Sequence, residues 1–431
     1  MPSHDPIALG LSLPLWSVVP FAGLLLSIAL LPLFAPSLWA RHYAKVCLAF
    51  GVPVAGFFLL RAPRELLHTA LEYASFLILL ASLFTISGGI LLRGTLRGSA
   101  GVNCAILAVG AVLANVFGTT GASMLLIRPL LRANAHRRRV AHVVVFFIFV
   151  VANIGGSLTP IGDPPLFLGY LRGVPFFWTL RAMGLLWAVA CALVIGVFYV
   201  VDRRALALDA ATDGDPDTVA GEGDGDPVPA AAGARVPLSI EGMINLPLLT
   251  VVIGAVFLPT PWREMAMVAA AVVSAWKTPA KVREENEFTW YPIEEVAILF
   301  AGIFATMIPA LLILKARGAE LGVVTPAHFF WATGVLSGFL DNAPTYLTFF
   351  SLAQGVGGAQ TVAGVSAPLL QAIGAGAVFM GANSYIGNAP NFMVKAIAEE
   401  AGVRMPSFFG YMAWSCGVLL PIFALLTLLF F

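Results

Sequence analysis

Two carboxylates in this chain stand where carboxylates are costly. Of 23 acidic residues, only Asp163 and Asp341 fall deep inside apolar stretches. An ionisable side chain at membrane depth is expensive and points to an ion or proton pathway. Asp163 lies in Asn153 to Phe167, which reads Asn-Ile-Gly-Gly-Ser-Leu-Thr-Pro-Ile-Gly-Asp-Pro-Pro-Leu-Phe. Asp341 opens Asp-Asn-Ala-Pro-Thr345. Two further polar interruptions accompany them, Asn115 to Ser123 and Gly381 to Asn391. The candidate ion- or substrate-binding residues are therefore Asp163, Asp341, Asn115, Thr119, Thr120, Asn153, Ser157, Thr159, Asn342, Thr345, Asn383, Ser384 and Asn388. Their amide and hydroxyl oxygens, with backbone carbonyls freed by the breaks, suit a dehydrated Na⁺. Asp163 and Asp341 are the expected ligands of that transported metal ion. Some of these side chains must instead cap broken helix ends.

Proline removes a backbone donor and glycine loosens a helix, so both interrupt a span. Backbone freed at membrane depth survives only where protein or a watery cavity satisfies it. The four interruptions are therefore read as broken elements lining a site. The other titratable residues have plainer readings. Glu294 and Glu295 open a span and suit a helix N-terminus or the interface. Lys395 lies just past the last break, where a long side chain snorkels. No HExxH, GxSxG or Walker pattern occurs, so membrane protease, hydrolase and ATP-driven pump are unsupported and no enzyme is expected.

Composition sets the surroundings. The 431 residues are 59% hydrophobic and 11% charged, against about a quarter charged in a soluble domain. Mean hydropathy is +0.90. Apolar runs of roughly 20 residues recur throughout, the mark of a polytopic membrane protein. The 4 cysteines lie in apolar runs without metal-site spacing and read as small core residues. No basic leader precedes the first apolar run.

In order, spans are expected at 15–34, 43–60 and 73–92, with an amphipathic loop at 61–72. A re-entrant hairpin follows at 101–131, then a broken helix at 140–171 and a span at 177–201. Residues 202–241 are acidic and poor in large apolar residues, and are expected to be a disordered cytoplasmic linker. The second half repeats the series: spans at 243–259, 263–276 and 292–314, a hairpin at 327–353, a broken helix at 366–397 and a span at 408–430. The repeat is visible in the residues. Ile161-Gly-Asp-Pro-Pro matches Ile386-Gly-Asn-Ala-Pro, and Leu113-Ala-Asn115 matches Leu340-Asp-Asn342. With both termini outside, most of the 24 lysines and arginines fall on the cytoplasmic side. The halves then have opposite orientation, so the fold class is all-α: an inverted-repeat transporter of about 10 spans, two hairpins and two broken helices.

On these motifs, over essentially its whole length, the chain resembles the ion transporter superfamily. That group includes NhaD-type sodium/proton antiporters, citrate and divalent-anion/sodium symporters and ArsB-type arsenite transporters. The resemblance implies a substrate held between the hairpin tips and broken helices, an elevator motion of that unit against a scaffold, and a homodimer. It also implies a cell membrane location, the inner membrane in a bacterium. The dicarboxylate symporters carry Ser-Asn-Thr at both tips, whereas here the tips read Ala114-Asn-Val-Phe-Gly-Thr-Thr and Asp341-Asn-Ala-Pro-Thr. A carboxylate at a tip repels an anion, which favours Na⁺(Li⁺)/H⁺ antiport. Coupled citrate or carboxylate transport is the alternative, and a non-transporting membrane scaffold or channel the third reading. The expected partners are the lipid bilayer and small inorganic cations or a small carboxylate. Nucleic acid is not among them. No cofactor is expected beyond the transported Na⁺ and H⁺.

Overall fold

Prolines punctuate the start of the chain. In the computed structural model, which describes residues 6–94, 96–213, 239–358 and 360–431, α1 (Pro6–Ser12) precedes three long helices, α2 (Val19–Phe34), α3 (Pro36–Arg61) and α4 (Pro63–Ser87). Single residues, Ala35 and Ala62, separate them. Pro36 and Pro63 occupy the first helical positions, where their missing N–H is not needed. Strand β1 (Leu91–Arg93) leads to α5 (Ala100–Ala133), α6 (Ala141–Val150), α7 (Pro164–Leu171) and α8 (Trp178–Asp213). The second half holds β2 (Ser239–Glu241), α9 (Asn245–Ala255), α10 (Trp262–Lys277), α11 (Ala280–Glu285), α12 (Tyr291–Arg317), α13 (Pro326–Ser337) and α14 (Asn342–Val356). A small hairpin, β3 (Thr361–Val362) and β4 (Val365–Ser366), precedes α15 (Ala367–Met380), α16 (Ala389–Glu400) and α17 (Phe408–Phe430). Among the described residues, 7 helices are long and apolar enough to cross a membrane. The protein is an all-α polytopic membrane protein.

Two expectations are corrected. Residues 61–72 are not a loop: α4 starts at Pro63 and continues without interruption through Tyr73. The chain also does not leave the helix at 202. Helix α8 runs on to Asp213, and Ser239–Glu241 pairs antiparallel with Leu91–Arg93. The acidic composition was the signal for a linker, but Asp202 faces inward and is fully buried, so its charge does not end the helix. The rest of that linker, 214–238, lies outside the described residues.

A group formed by α2, α3, α4 and α12 packs through small and aromatic residues. Gly302 of α12 lies against Cys47 of α3, and the ring of Phe76 on α4 sits 4.9 Å from that of Phe300. Small residues let apolar helices approach where no water drives them together. The four interrupted elements pack beside this group. Helix α5 is two arms joined at Gly118, whose φ of 74° only glycine adopts freely. The second hairpin is α13 and α14, turned at Asp341, which caps α14 by accepting from the Ala343 N–H at 3.0 Å.

The two broken helices share one construction. In the first, α6 gives way to a short 3₁₀ turn, Ile154–Ser157, before α7; in the second, α15 passes through Gly381–Asn383 to α16. A Cβ at Gly162 would collide with the Gly156 carbonyl, and one at Gly387 with the Gly381 carbonyl. Each break thus folds tightly back on itself over the same span of residues. Thr159 donates to the Asn115 carbonyl at 2.6 Å, and Ser384 to the Gly338 carbonyl at 2.5 Å. This pairing corrects the expected hairpin match. Asn115 takes the place of Gly338, not Asn342, and Thr119 takes the place of Asn342. The tips differ because one is turned by glycine and the other by an aspartate cap.

Candidate functional site

The two breaks and two hairpin turns converge on Asp163, which is 1% exposed. It is the residue preceding α7, and its carboxylate receives three side-chain donors from three other elements. Thr119, first residue after the Gly118 turn, donates to Oδ1 at 2.8 Å. Asn388, preceding α16, donates to the same oxygen at 3.2 Å. Asn342, first residue of α14, donates to Oδ2 at 2.5 Å. Two of these donors belong to the second half of the chain and one to the first. Each element begins a helix here, and helix N-termini carry partial positive charge. Asp163 therefore occupies a small anion-favouring nest that the chain itself fills.

A cavity of about 100 Å³ opens beside it, lined by Asp163, Asp341, Thr119, Thr120 and Asn388 on its polar side. Phe76, Leu83, Phe84, Phe117, Phe167 and Phe300 contribute much of its apolar wall. The two acids expected to meet do share this cavity. Among the described residues no lysine, arginine or histidine lines it. Asn342 Oδ1 is buried and has no hydrogen-bond partner among the described residues, although its amide nitrogen is engaged by Asp163. It is a buried hard oxygen on the amide that holds the Asp163 carboxylate.

The remaining candidates sit around this centre in supporting positions. Asn153 donates to Asn391 Oδ1 at 2.7 Å and to the Ile148 carbonyl at 2.8 Å, and accepts from Asn388 at 3.2 Å, so it orients Asn388. Asn115 stitches the first hairpin to the first break, donating to the Gly155 carbonyl at 2.7 Å and accepting from the Leu158 N–H at 2.8 Å. The donors of Ser157, Thr159, Thr345 and Ser384 all go to backbone carbonyls. Asn383 stands on the second break with a buried Oδ1 that has no hydrogen-bond partner among the described residues. Asn391, absent from the expected set, ties the second break together by donating to the Gly381 and Ser384 carbonyls at 2.8 Å each.

Three further polar groups were not expected. Asp202 is buried with Arg137, His142 and Asn103 around its carboxylate, the first at 2.6 Å. Glu72 of α4 accepts from Arg172 Nε and Nη2, each at 3.0 Å. Arg172 follows α7, so this pair joins a broken helix to the scaffold group. Arg128 of α5 pairs with Glu287 on the loop before α12. So Asp163 and Asp341 are not the only inward acids. The missed ones sit at the ends of apolar runs, where sequence cannot separate an interfacial charge from a paired buried one. Glu294 stands in the first turn of α12 as expected, and Lys395 pairs with Glu399 one turn on, at 2.6 Å.

A family model described as "Putative citrate transport" matches residues 10–431, nearly the entire chain. No curated protein matches it.

Proposed function

The chain belongs to this citrate-transport family, and on that premise we propose that it is a secondary active transporter exchanging Na⁺ or Li⁺ for H⁺. One observation carries the cation reading. The place where several helix N-termini would hold a substrate carboxylate is filled by the chain's own Asp163, and Asp341 lies in the same cavity with no cationic residue lining it. An added anion would meet two carboxylates at short range, in a setting where like charges repel strongly. A small cation there would meet two carboxylates and the hydroxyl oxygens of Thr119 and Thr120.

In this reading Asp163 and Asp341 hold protons when the cation is absent and release them when it binds. Thr119, Asn342 and Asn388 keep the Asp163 carboxylate in place through the exchange. Alternating access would come from an elevator motion of α5–α7 and α13–α16 against α2–α4 and α9–α12, in a homodimer. The family description supports a second reading, coupled uptake of citrate or a related carboxylate, in which the same acids hold the coupling ion.

Purified protein in liposomes containing a pH dye tests the proposal. Adding Li⁺ or Na⁺ should drive lumenal pH change in the wild type and not in Asp163→Asn or Asp341→Asn. Accumulation of labelled citrate without any cation-driven pH change would replace it with the second reading. A continuous current through a bilayer would mean a channel.

A further inference from the structure

A second cavity, of about 300 Å³, adjoins the first and opens beside the Arg128–Glu287 pair. The two cavities share Phe84, Pro292 and Met393 in their walls. Those three residues therefore stand between the two cavities, where a path from Asp163 to the surface at the C-terminal end of α4 would pass. The outer chamber is bounded by Met124 and Arg128 of α5, by Ile397 and Glu400 of α16, and by the Asn286–Pro292 segment. Its charged lining is Arg128, Glu287 and Glu400.

The segment carrying Glu287 is held rigidly. Asn286 donates to the Gly88 and Ile90 carbonyls at 3.0 and 2.8 Å, and Phe288 packs on Phe84 with centroids 5.2 Å apart. Between them Glu287 adopts a φ of 49°, a left-handed conformation costly for a residue with a Cβ. Such a conformation persists where the surroundings impose it. Its result here is that the Glu287 carboxylate reaches Arg128 at the chamber's edge, on the side that the basic loops assign to the cytoplasm.

We propose that this chamber is the access vestibule of the site and that Glu287 and Arg128 together set which sign of charge enters it. Arg128 is a fixed positive charge on the path, and Glu287 cancels it. With the pair intact, Glu400 leaves the chamber weakly negative, and a cleft lined by one sign of charge concentrates ions of the other. Glu287 and Arg128 do not touch the ion at its binding place; they act on its approach. This inference rests on the transporter reading but not on which ion is carried.

The test is the KM of Li⁺-driven proton release in liposomes for Glu287→Gln, Arg128→Gln and the swap Arg128→Glu/Glu287→Arg, at low and high ionic strength with choline chloride. At low ionic strength Glu287→Gln should raise KM and Arg128→Gln lower it, by up to about tenfold. The swap should return KM to near the wild-type value, and high salt should compress all differences while kcat stays close to wild type. The swap keeps the test available if either single variant fails to fold. Shifts of the same sign in both single variants, or unchanged KM at low salt, would overturn the vestibule. If the wild type carries citrate and not Li⁺, the cation reading fails separately. The vestibule then predicts the opposite signs for citrate KM, and their absence overturns it.

Discussion

Asp163 is held by three side-chain donors, and hydrogen bonds to a charged group are each worth about 1.5–3 kcal/mol. Thr119→Val removes the 2.8 Å donor without changing volume much. We expect kcat/KM for the cation to fall about tenfold or more, since 1.4 kcal/mol is a factor of ten. Thr119→Ser should restore most of it. Loss in Thr119→Ser with little loss in Thr119→Val would show that the threonine methyl, packed near Gly156, is what counts. Asp163 and Asp341 stand out in the amino-acid sequence because isolated acids in apolar runs are rare. The division of labour among the amides does not. Asn115 and Asn342 look alike in sequence, yet one stitches backbone and the other touches the carboxylate. Only the turn residue at each tip, Gly118 or Asp341, sets which side chain arrives first.

At the scale of elements, each break depends on a glycine pair. Gly162→Ala and Gly387→Ala should each cost about 1–3 kcal/mol, because the new methyl meets a backbone carbonyl that cannot swing away. Transport should fall with thermal stability in detergent. Gly56→Ala in α3, where a Cβ meets nothing within 4 Å, should be neutral or slightly stabilising in the same assay. The Glu72–Arg172 bridge makes a further case. Glu72 is 7% exposed and Arg172 16%, so removing one partner strands the other away from water. Glu72→Gln should destabilise by about 3 kcal/mol. Arg172→Gln added to it should recover part of that loss, because the stranded charge is then gone. Additive losses would mean that the pair does not act as a unit. The sequence hid this bridge by placing its residues 100 apart.

For the whole molecule, the site is shared between halves. Asn342 and Asn388 come from the second half and Asp163 from the first. Neither half alone can complete it. Residues 1–213 and 239–431, each beginning or ending outside the folded halves' contacts with the site, should reconstitute cation-driven proton release when produced together and fail when produced singly. Copurification of the two pieces checks assembly independently of transport. Activity from the first piece alone would show that the shared donors are dispensable.

What the amino-acid sequence determined by itself was whatever depends on local composition and on repetition. Apolar runs of bilayer length, interruptions rich in glycine and proline, the recurrence of the series and the two isolated acids are all one-dimensional properties. So the all-α membrane class could be read from it, and its polar interruptions fall where α5 turns, α13 meets α14, and the chain breaks between α6 and α7 and between α15 and α16. Tertiary structure alone decided what depends on partners distant in the chain. It showed that α8 continues past Asp202, because Arg137 and His142 cover that charge. It registered Thr119, not Asn115, with Asn342. It also joined Glu72 to Arg172 and Glu287 to Arg128. A charge at the end of an apolar run is either solvated or paired, and the choice is made by a residue the local sequence does not contain.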